Sequence, residues 1–314
     1  MEKDTIDTIR AAKEFHRSAT FRDLTRSIMP VPIERIEGPV SRRRQDVLAI
    51  EDPLQIRLNY EWKGKRREKD VALTMRTPGH DTELAAGFLF SEGILQSADQ
   101  ILRIGHSHRV SGRNAKRNSV TIDLRPGIDC DWQRLERNFY ISSSCGVCGK
   151  ISIEAVQSRI CFPLPPATPL IDLSAIPGLP ETLRHSQSVF DQTGGLHAAA
   201  LFDTSGGLLS LREDVGRHNA VDKLVGAQFL RARLPLRENL ILVSGRASFE
   251  LVQKALMAGI PIMIAVGAPS SLAVEMALRF RMTLVGFLRG ERFNVYSGAF
   301  RIRRPAKYES QAGR

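Results

Sequence analysis

Two cysteines three positions apart are the residues best suited to chemistry in this sequence. Cys145 and Cys148 lie in the segment SSSCGVCGK, residues 142–150, among serines and glycines too small to bury a thiol. Such a pair can hold a metal, act as a redox dithiol, or carry sulfur, because the thiolate is the reacting form in each case. Lys150 would help to stabilise that thiolate.

A metal site at this pair lacks further ligands. Structural zinc needs four ligands, usually from a second paired motif, but Cys130 and Cys161 are isolated. His197 and His218 lack the i, i+4 spacing of a helical ligand pair. A deaminase-type site would place H-x-E before P-C-x-x-C, whereas here the cysteines come first and no H-x-E occurs. We therefore expect no metal.

The redox and carrier interpretations both remain open. A thioredoxin-like dithiol lies at the start of a helix that follows a strand. The three serines before Cys145 and the glycine after each thiol instead favour a mobile loop. Such a loop suits a thiol that visits two sites, accepting sulfane sulfur as a persulfide at one and releasing it at the other.

The composition is that of a globular protein. The chain has 314 residues, a length sufficient for two domains. Of these residues, 42% are hydrophobic and 25% are charged. No apolar run reaches membrane-spanning length, and the N-terminal segment MEKDTIDTIRAAKEF lacks the apolar centre of a secretory signal. Four cysteines do not make a disulfide framework in a chain of this size. We expect a cytoplasmic protein that does not enter a membrane.

Positive charge is concentrated near the C-terminus. The net charge is +11, and residues 279–314 contain nine Lys and Arg against two acids. A solvated surface explains most charge runs, but Arg289 and Arg292 directly follow a predicted buried strand, which favours a phosphate-bearing ligand. Aromatic residues make up only 6% of the chain, so we expect no nucleic-acid partner.

The apolar pattern divides the chain into three parts. We predict a weakly ordered extension over residues 1–30, a smaller α+β domain over 31–137, and an α/β domain over 138–314 that begins with the cysteine loop. In the smaller domain, residues 47–75 are predicted as strands joined by the charged turn KGKRREKD. A helix over residues 81–95 and a hairpin around the loop SGRNAKRN follow.

Strand and helix patterns alternate between residues 238 and 289. ENLILVSG, IPIMIAVG and MTLVGFLR are short apolar runs, and the segments between them have helical spacing. This alternation predicts a mostly parallel sheet with crossover helices, which binds ligands beyond the carboxyl ends of its strands. Three such ends, residues 244–246, 267–271 and 287–289, offer small residues and arginines suited to a phosphate or pyrophosphate group.

Several polar residues have two open interpretations. Asp214, Arg217, His218 and Asp222 have the spacing of one helix face, where they would line a cavity or form ion pairs within the helix. His197, beside the apolar run HAAALF, is more typical of a core histidine than of a catalyst. The preceding turn TGG either binds phosphate or leads into that strand.

Five stretches together resemble one family. They are SSSCGVCGK, QTGGLHAAALF, REDVGRHNAVDKLVG, SGRASFELVQKALMAG and TLVGFLRGERFNVY. Their order and spacing resemble those of the FdhD family, the formate dehydrogenase accessory sulfurtransferases, from about residue 31 to residue 304.

The resemblance implies a function, a substrate and partners. Members take sulfur from a cysteine desulfurase and deliver it to the molybdenum cofactor, bis(molybdopterin guanine dinucleotide), before that cofactor enters formate dehydrogenase. The larger domain is expected to have the α/β/α layers of cytidine deaminase without the deaminase zinc site, and the protein is expected to be a homodimer.

The resemblance also implies site residues. By this resemblance, Cys145 is the cysteine that carries the persulfide, and Cys148 would assist in relay or resolution. Cys130 and Cys161 are expected to be inert. The guanine dinucleotide contact, for which GDP would be a mimic, maps onto Phe287, Leu288, Arg289, Gly290, Glu291 and Arg292. A chaperone that binds the same compound, with cysteines that only assist, is the alternative to a persulfide-relaying enzyme.

Overall fold

A computed structural model describes residues 27–106, 117–128 and 162–305. The strands are β1 (Ile28–Glu37), β2 (Val40–Ala49), β3 (Asp52–Trp62), β4 (Lys65–Arg76), β5 (Ile101–His106), β6 (Ser119–Leu124), β7 (Ile171–Asp172), β8 (His197–Phe202), β9 (Leu208–Asp214), β10 (Leu240–Val243), β11 (Ile262–Ala265), β12 (Thr283–Arg289), β13 (Arg292–Ser297) and β14 (Ile302–Arg303). The α-helices of these residues are α1 (Asp81–Ser91), α2 (Leu179–Ser186), α3 (Ser188–Thr193), α4 (Arg217–Phe229), α5 (Phe249–Met257) and α6 (Ser271–Arg279). None of these helices is long and apolar enough to cross a membrane.

The N-terminal part is built on a four-stranded sheet in the order β4-β3-β6-β5. Its inner face carries Leu54, Ile56 and Leu58 of β3, which are fully buried. The predicted hairpin of β5 and β6 and the predicted helix are confirmed, although α1 ends at Ser91, just before Gly93 in a left-handed conformation. The four-stranded sheet therefore presents an apolar face to α1.

The predicted charged turn between β3 and β4 is wrong in extent. The turn consists of Lys63 and Gly64 alone, both with positive φ, and β4 already begins at Lys65. The pairing runs to Trp62 opposite Lys65, so the charged residues extend a ribbon into solvent. Exposed strands accept charged side chains, which is why composition alone was misleading here.

A separate two-stranded ribbon precedes the four-stranded sheet. β1 and β2 pair in an unbroken antiparallel register from Ile28 opposite Ala49 to Glu37 opposite Val40. Residues 34–45 are exposed on both faces of this ribbon. β1 begins at Ile28, so the predicted boundary at residue 30 falls within a strand.

The six-stranded sheet has the order β13-β12-β11-β10-β8-β9. β10, β11 and β12 are parallel neighbours joined by α5 and α6, as predicted. The pairs β10–β8, β8–β9 and β12–β13 are antiparallel. The prediction of a mostly parallel sheet is therefore wrong: a parallel centre is flanked by antiparallel strands, because hairpins rather than crossovers connect the outer strands.

Helices cover both faces of this sheet. Along β10, Ile241 and Val243 face the core cluster that contains α4, α5 and α6, whereas Leu240 and Leu242 face the cluster that contains α2. Strands buried on both faces read as continuous apolar runs, which is the pattern of the sequence here. The mixed α/β class with α/β/α layers is confirmed; the specific likeness to cytidine deaminase stays a prediction.

Helices α1 and α4 cross at backbone contact through two glycines. A Cβ atom on Gly87 would lie 1.9 Å from the carbonyl oxygen of Asp222, and one on Gly226 would lie 1.9 Å from that of Glu83. Only glycine fits at either position, because real Cβ atoms do not approach another heavy atom this closely. This crossing joins the N-terminal sheet to the six-stranded sheet, and one core cluster contains side chains of both.

Buried ion pairs surround this crossing. Arg212 of β9 donates two hydrogen bonds, of 2.5 and 2.8 Å, to the carboxylate of Glu83 in α1. Burial would raise the pKa of Glu83, but the hydrogen bond from Arg212 and a second from His80 outweigh it and lower the pKa to about 2. Asp222 accepts hydrogen bonds from Ser91 and from Lys254 of α5, so its carboxylate links three helices.

Replacing either crossing glycine with alanine should destabilise the protein by separating α1 from α4. We expect Gly87→Ala and Gly226→Ala each to lower the free energy of unfolding by about 3 kcal/mol or more, because the added methyl group meets rigid backbone. Urea denaturation followed by circular dichroism measures the change. Gly105→Ala is the control, since nothing lies within 4 Å of its Cβ position, and it should change stability by less than about 1 kcal/mol. Equal stability of Gly87→Ala and Gly105→Ala would contradict this account of the crossing.

Candidate functional site

The carboxyl ends of β10, β11 and β12 meet at one edge of the six-stranded sheet, as predicted. The loops that follow them are bonded to one another: Gly267 N donates to Gly245 O, and Phe287 N donates to Gly267 O, both at 3.0 Å. Because β8 is antiparallel to β10, its first residue, His197, lies at the same edge. This row of strand ends is called the strand-end edge below.

Small residues allow these loops to pack closely. A Cβ atom on Gly267 would lie 3.0 Å from Gly245 O, and one on Gly286 would lie 2.9 Å from the Pro269 ring. The serine hydroxyl of Ser244 accepts a hydrogen bond of 2.9 Å from Ala198 N. These contacts hold the strand-end edge rigidly, which suits a site for a specific ligand.

The predicted nucleotide residues 287–292 form the hairpin between β12 and β13. Arg289 pairs directly with Arg292, and Gly290 and Glu291 make the turn. Neither arginine has a carboxylate partner in the described part of the chain, and both are exposed. Two adjacent guanidinium groups repel each other unless an anion lies between them, so their pairing favours an anionic ligand.

Two residues of this hairpin differ in character from the rest. Leu288 is 1% exposed and its side chain belongs to the core, so a contact of this residue with a ligand would involve its backbone. Phe287 is 42% exposed and has a φ of 56°, the left-handed region that favours glycine. An aromatic residue held in this conformation at a strand end is typical of a functional position.

A cleft of about 540 Å³ opens beside the strand-end edge. This volume is within the range of small-molecule sites. Its lining is mostly apolar, with a glycine turn and a few polar groups: Pro180, Leu183, Arg184, Gln187, Phe190, Gly194, Gly195, Leu196, His197, Ser244 and Val266. Val266 directly precedes Gly267, whose carbonyl holds Phe287, so the cleft and the hairpin are neighbours along the edge.

Helices α2 and α3 form the outer wall of the cleft. The guanidinium of Arg184 lies over the Phe190 ring, 4.6 Å from its centre. Glu213 of β9 accepts hydrogen bonds from Val189 N and Phe190 N at the start of α3. Burial raises the pKa of Glu213, although these backbone hydrogen bonds oppose the increase. The wall is therefore anchored to the sheet by a half-buried side chain, that of Glu213.

A second polar group lies where α4 and α5 begin. His218 Nε2 lies 3.3 Å from Ser248 Oγ and 3.7 Å from a carboxylate oxygen of Glu250. The hydrogen bond with His218 lowers the pKa of Glu250 to about 2, more than burial raises it. Burial lowers the pKa of His197, and the nearby Arg217 and His218 lower it further, so its neutral form is favoured at neutral pH.

The predicted helix face of four polar residues is not a single unit. Asp214 is the last residue of β9 rather than part of α4, and Lys223 Nζ lies 2.6 Å from its buried carboxylate. Asp222 pairs with Lys254, as described above. These two acids are structural and pair between elements rather than within the helix, whereas Arg217 and His218 stand at the strand-end edge. The spacing of these four residues in the sequence therefore grouped two structural acids with two residues of the strand-end edge.

Both predicted catalytic cysteines, Cys145 and Cys148, lie outside the described residues, as do Cys130 and Cys161. In the described ranges, no group of three His, Cys, Asp or Glu is arranged to hold a metal ion.

Sequence reasoning missed the cleft and the contact of His218 with α5. The lining residues Leu183, Gln187 and Phe190 belong to α2, to the residue between the helices and to α3, so no single helical period reveals them. The partners of His218, Ser248 and Glu250, are some thirty residues away and gave no local signal.

A strand-end edge with an adjoining cleft and two exposed arginines that lack a carboxylate partner among the described residues makes this an α/β protein with a candidate site for an anion. The match to a family model is more specific: residues 49–303 match the FdhD/NarQ family. The chain belongs to this family.

Similar proteins agree with this assignment. The chain is 52% identical over 269 residues to a Streptomyces coelicolor protein named sulfur carrier protein FdhD, covering 85% of this chain and 92% of that protein. It is 49% identical over 265 residues to a Mycobacterium tuberculosis protein of the same name, covering 82% and 92%. A crystal structure from Desulfotalea psychrophila, described as a putative formate dehydrogenase accessory protein, is 26% identical, with a TM-score of 0.66 over 88% of this chain and 99% of that one.

The left-handed backbone at Phe287 gives a prediction about stability. We expect Phe287→Gly to be more stable than Phe287→Ala by about 1 kcal/mol, because a Cβ atom is unfavourable in this conformation. Thermal unfolding of the two variants measures the difference. The same exchange at exposed Leu278, in helix α6, is the control and should favour alanine instead. If alanine were the more stable residue at position 287 as well, the backbone there is not strained.

Proposed function

We propose that this protein is a sulfur carrier that matures formate dehydrogenase by sulfurating its molybdenum cofactor. The observation that carries the proposal is membership of the FdhD/NarQ family, with a relative named sulfur carrier protein FdhD at 52% identity, in a chain that has the paired thiols Cys145 and Cys148. The name of the Desulfotalea psychrophila protein supports formate dehydrogenase as the target.

The first step loads sulfur onto Cys145. Its thiolate attacks the terminal sulfur of a persulfide on a cysteine desulfurase, the donor's sulfur–sulfur bond breaks, and the desulfurase thiolate leaves. Cys145 then carries the persulfide, with no net oxidation or reduction. The glycines and serines around it leave the thiol accessible for this exchange.

The second step releases sulfur as sulfide and requires two electrons. The Cys148 thiol supplies them by attacking the inner sulfur of the Cys145 persulfide, forming the Cys145–Cys148 disulfide and expelling sulfide. The molybdenum substrate takes this sulfide in place of an oxygen ligand, which leaves as water. A cellular dithiol reductant then reduces the disulfide. Cys148 is thus the resolving thiol.

The nucleotide end of the substrate would bind at the hairpin of residues 287–292. Arg289 and Arg292 provide two forks of donors for phosphate oxygens, and Gly290 leaves the backbone accessible between them. Phe287 offers an exposed aromatic surface to a purine. These groups support bis(molybdopterin guanine dinucleotide) as the substrate, with GDP as its mimic.

The remaining parts of the proposal concern setting and assembly. The substrate and its partners, a cysteine desulfurase and formate dehydrogenase apoprotein, would meet the carrier in the cytoplasm. We propose that the carrier acts as a homodimer and needs no metal of its own, and that it acts as a sulfurtransferase.

Substitution of each cysteine separates loading from release. After incubation with a desulfurase and cysteine, wild type should gain sulfane sulfur, about 32 Da per atom, at a reactive thiolate. We expect Cys145→Ser to gain none and to leave formate dehydrogenase inactive. Cys148→Ser should gain the sulfur but fail to release it. Mass spectrometry of the intact protein measures the load.

Cys161→Ser is the matched control and should load and activate like wild type. Full formate dehydrogenase activity with Cys145→Ser would refute the carrier role and favour a chaperone that only binds the molybdenum compound.

The arginine pair gives a separate binding prediction. We expect Arg289→Ala and Arg292→Ala each to weaken GDP binding roughly 10- to 150-fold, because each removes a charge-assisted hydrogen bond to phosphate worth about 1.5–3 kcal/mol. The affinity of wild type should fall as salt rises. Isothermal titration calorimetry measures both effects.

Arg237→Ala is the control, since this exposed arginine precedes β10 at the opposite end of the sheet. Unchanged GDP affinity in both hairpin variants would place the nucleotide elsewhere.

A further inference from the structure

The ribbon of β1 and β2 has no part in the proposed function. Residues 34–45 are exposed, and the match to the family begins only at residue 49, the last residue of β2. An isolated two-stranded hairpin is marginally stable in water, so its exposed part would gain from a partner. We propose that one face of this ribbon binds an acidic surface of the protein that receives the ligand of the cleft. This inference rests on the proposed function, which makes that protein formate dehydrogenase apoprotein.

The register of the ribbon places three arginines on one face. Residues directly opposite each other in an antiparallel pair share a face, and so do residues two apart along a strand. Arg35 lies opposite Arg42, and Arg44 lies two residues before Arg42 on the same face, which is called the arginine face below. No carboxylate of the described residues pairs with any of the three. Like charges that face each other across strands are unfavourable, so this cluster favours an anionic partner.

The acids of the ribbon do not neutralise this cluster. Glu37 and Asp46 also lie on the arginine face, but at its two ends, and Asp46 accepts a hydrogen bond of 2.9 Å from Val47 N. On the opposite face, Glu34 lies directly across from Arg43. Charges are therefore matched on one face of the ribbon and clustered on the other, which makes the arginine face the one that needs a partner.

The arginine face also carries exposed apolar side chains. Met29 and Leu48 lie opposite each other on it and are 49% and 45% exposed. Arginine and methionine are enriched in protein interfaces, whereas lysine is depleted. Neither strand of the ribbon contains a lysine. This combination favours a folded protein as the partner.

The ribbon begins beside the cleft. β2 runs next to α3, which belongs to the cleft wall, and Ala49 Cβ lies 3.9 Å from the Cβ position of Gly195, which lines the cleft. Ala49 lies on the face opposite to the arginine face. At about 3.3 Å per residue, Arg44 is roughly 17 Å along the strand from Ala49, so a protein bound there is close to the cleft. A recipient of the ligand must approach the cleft, whereas a sulfur donor needs to reach only Cys145.

The chain itself offers no acidic segment for the arginine face. Lys and Arg number six against five acids in residues 1–26, three against none in 107–116, four against four in 129–161, and two against one in 306–314. A second copy that bound through the same face about a twofold axis would bring the arginines of both copies together. A different protein with an acidic surface is therefore the occupant.

Substitutions on the two faces of the ribbon test this surface. Arg42→Gln removes a charge from the arginine face, and Arg43→Gln is the matched control, because it is the adjacent residue, is also exposed and lies on the opposite face. The triple variant Arg35→Gln, Arg42→Gln and Arg44→Gln removes the whole cluster. The triple variant Arg35→Lys, Arg42→Lys and Arg44→Lys retains its charge.

Each full-length variant is measured in three assays. The first is biolayer interferometry with formate dehydrogenase apoprotein from cells that cannot make the molybdenum compound. The second is GDP affinity, and the third is sulfur loading by the desulfurase. The last two assays report an intact fold, so a loss of apoprotein binding alone cannot come from misfolding.

We expect Arg42→Gln to weaken binding of the apoprotein roughly fivefold and the glutamine triple variant roughly 100-fold, if the three contributions add. Arg43→Gln should stay within about twofold of wild type, and the lysine triple variant should retain most of the affinity. Salt should weaken the binding of wild type more than that of the glutamine triple variant. GDP affinity and sulfur loading should be unchanged in every variant.

Equal effects of Arg42→Gln and Arg43→Gln, or unchanged binding by the glutamine triple variant, would overturn the arginine face as a docking surface. A loss of sulfur loading instead of apoprotein binding would assign this face to the desulfurase and overturn the dehydrogenase as its occupant. Failure of the proposed function has a different result: wild type would bind the apoprotein through these arginines and never activate it.

Discussion

The backbone contact between Gly87 of α1 and Gly226 of α4 is the constraint on which the rest of the structure depends. Helix α1 lies on the four-stranded sheet and α4 on the six-stranded sheet, so their crossing sets the position of one sheet relative to the other. The contact tolerates no side chain, because each Cβ would overlap a carbonyl oxygen. These two positions therefore require glycine because the helices leave no space for a side chain, and not because glycine makes an attractive contact there.

The ion pairs around the crossing fix the position of α1 relative to α4. Glycine contacts alone would let two helices slide, but Glu83 is fixed to Arg212 of β9 and Asp222 to Lys254 of α5. Partly buried hydrogen-bonded pairs of this kind specify one arrangement even when their net stabilisation is modest. Since α4 cannot move, its first turn presents Arg217 and His218 at a defined place on the strand-end edge. The crossing of α1 and α4 therefore fixes both the packing of the two sheets and the position of these two residues.

Local patterns in the sequence predicted the three central strands of the larger sheet and the helices between them. The runs at β10, β11 and β12 are apolar on both faces, and Ser270 caps α6, so each element was specified by adjacent residues. Residues 287–292 lie at a strand end, as predicted, although nothing in the sequence shows that Leu288 faces inward. A β-bulge at this point changes the alternation of side chains along β12.

Long-range pairing could not be predicted in the same way. Arg212 and Glu83 are 129 residues apart, and their spacing carries no periodicity. Asp214 has helical spacing to His218 but belongs to β9, because Gly216 breaks the strand and starts the helix between them. The cleft is formed by segments from α2, β8, β10 and β11, so no single stretch of sequence contains it.

The crossing of α1 and α4 also affects synthesis of the chain. Gly226 emerges about 140 residues after Gly87, which takes on the order of ten seconds at typical rates of translation. During that interval α1 covers the four-stranded sheet, but its own outer surface, later covered by α4, faces water. The folding of the N-terminal part is completed only when the second half of the protein arrives.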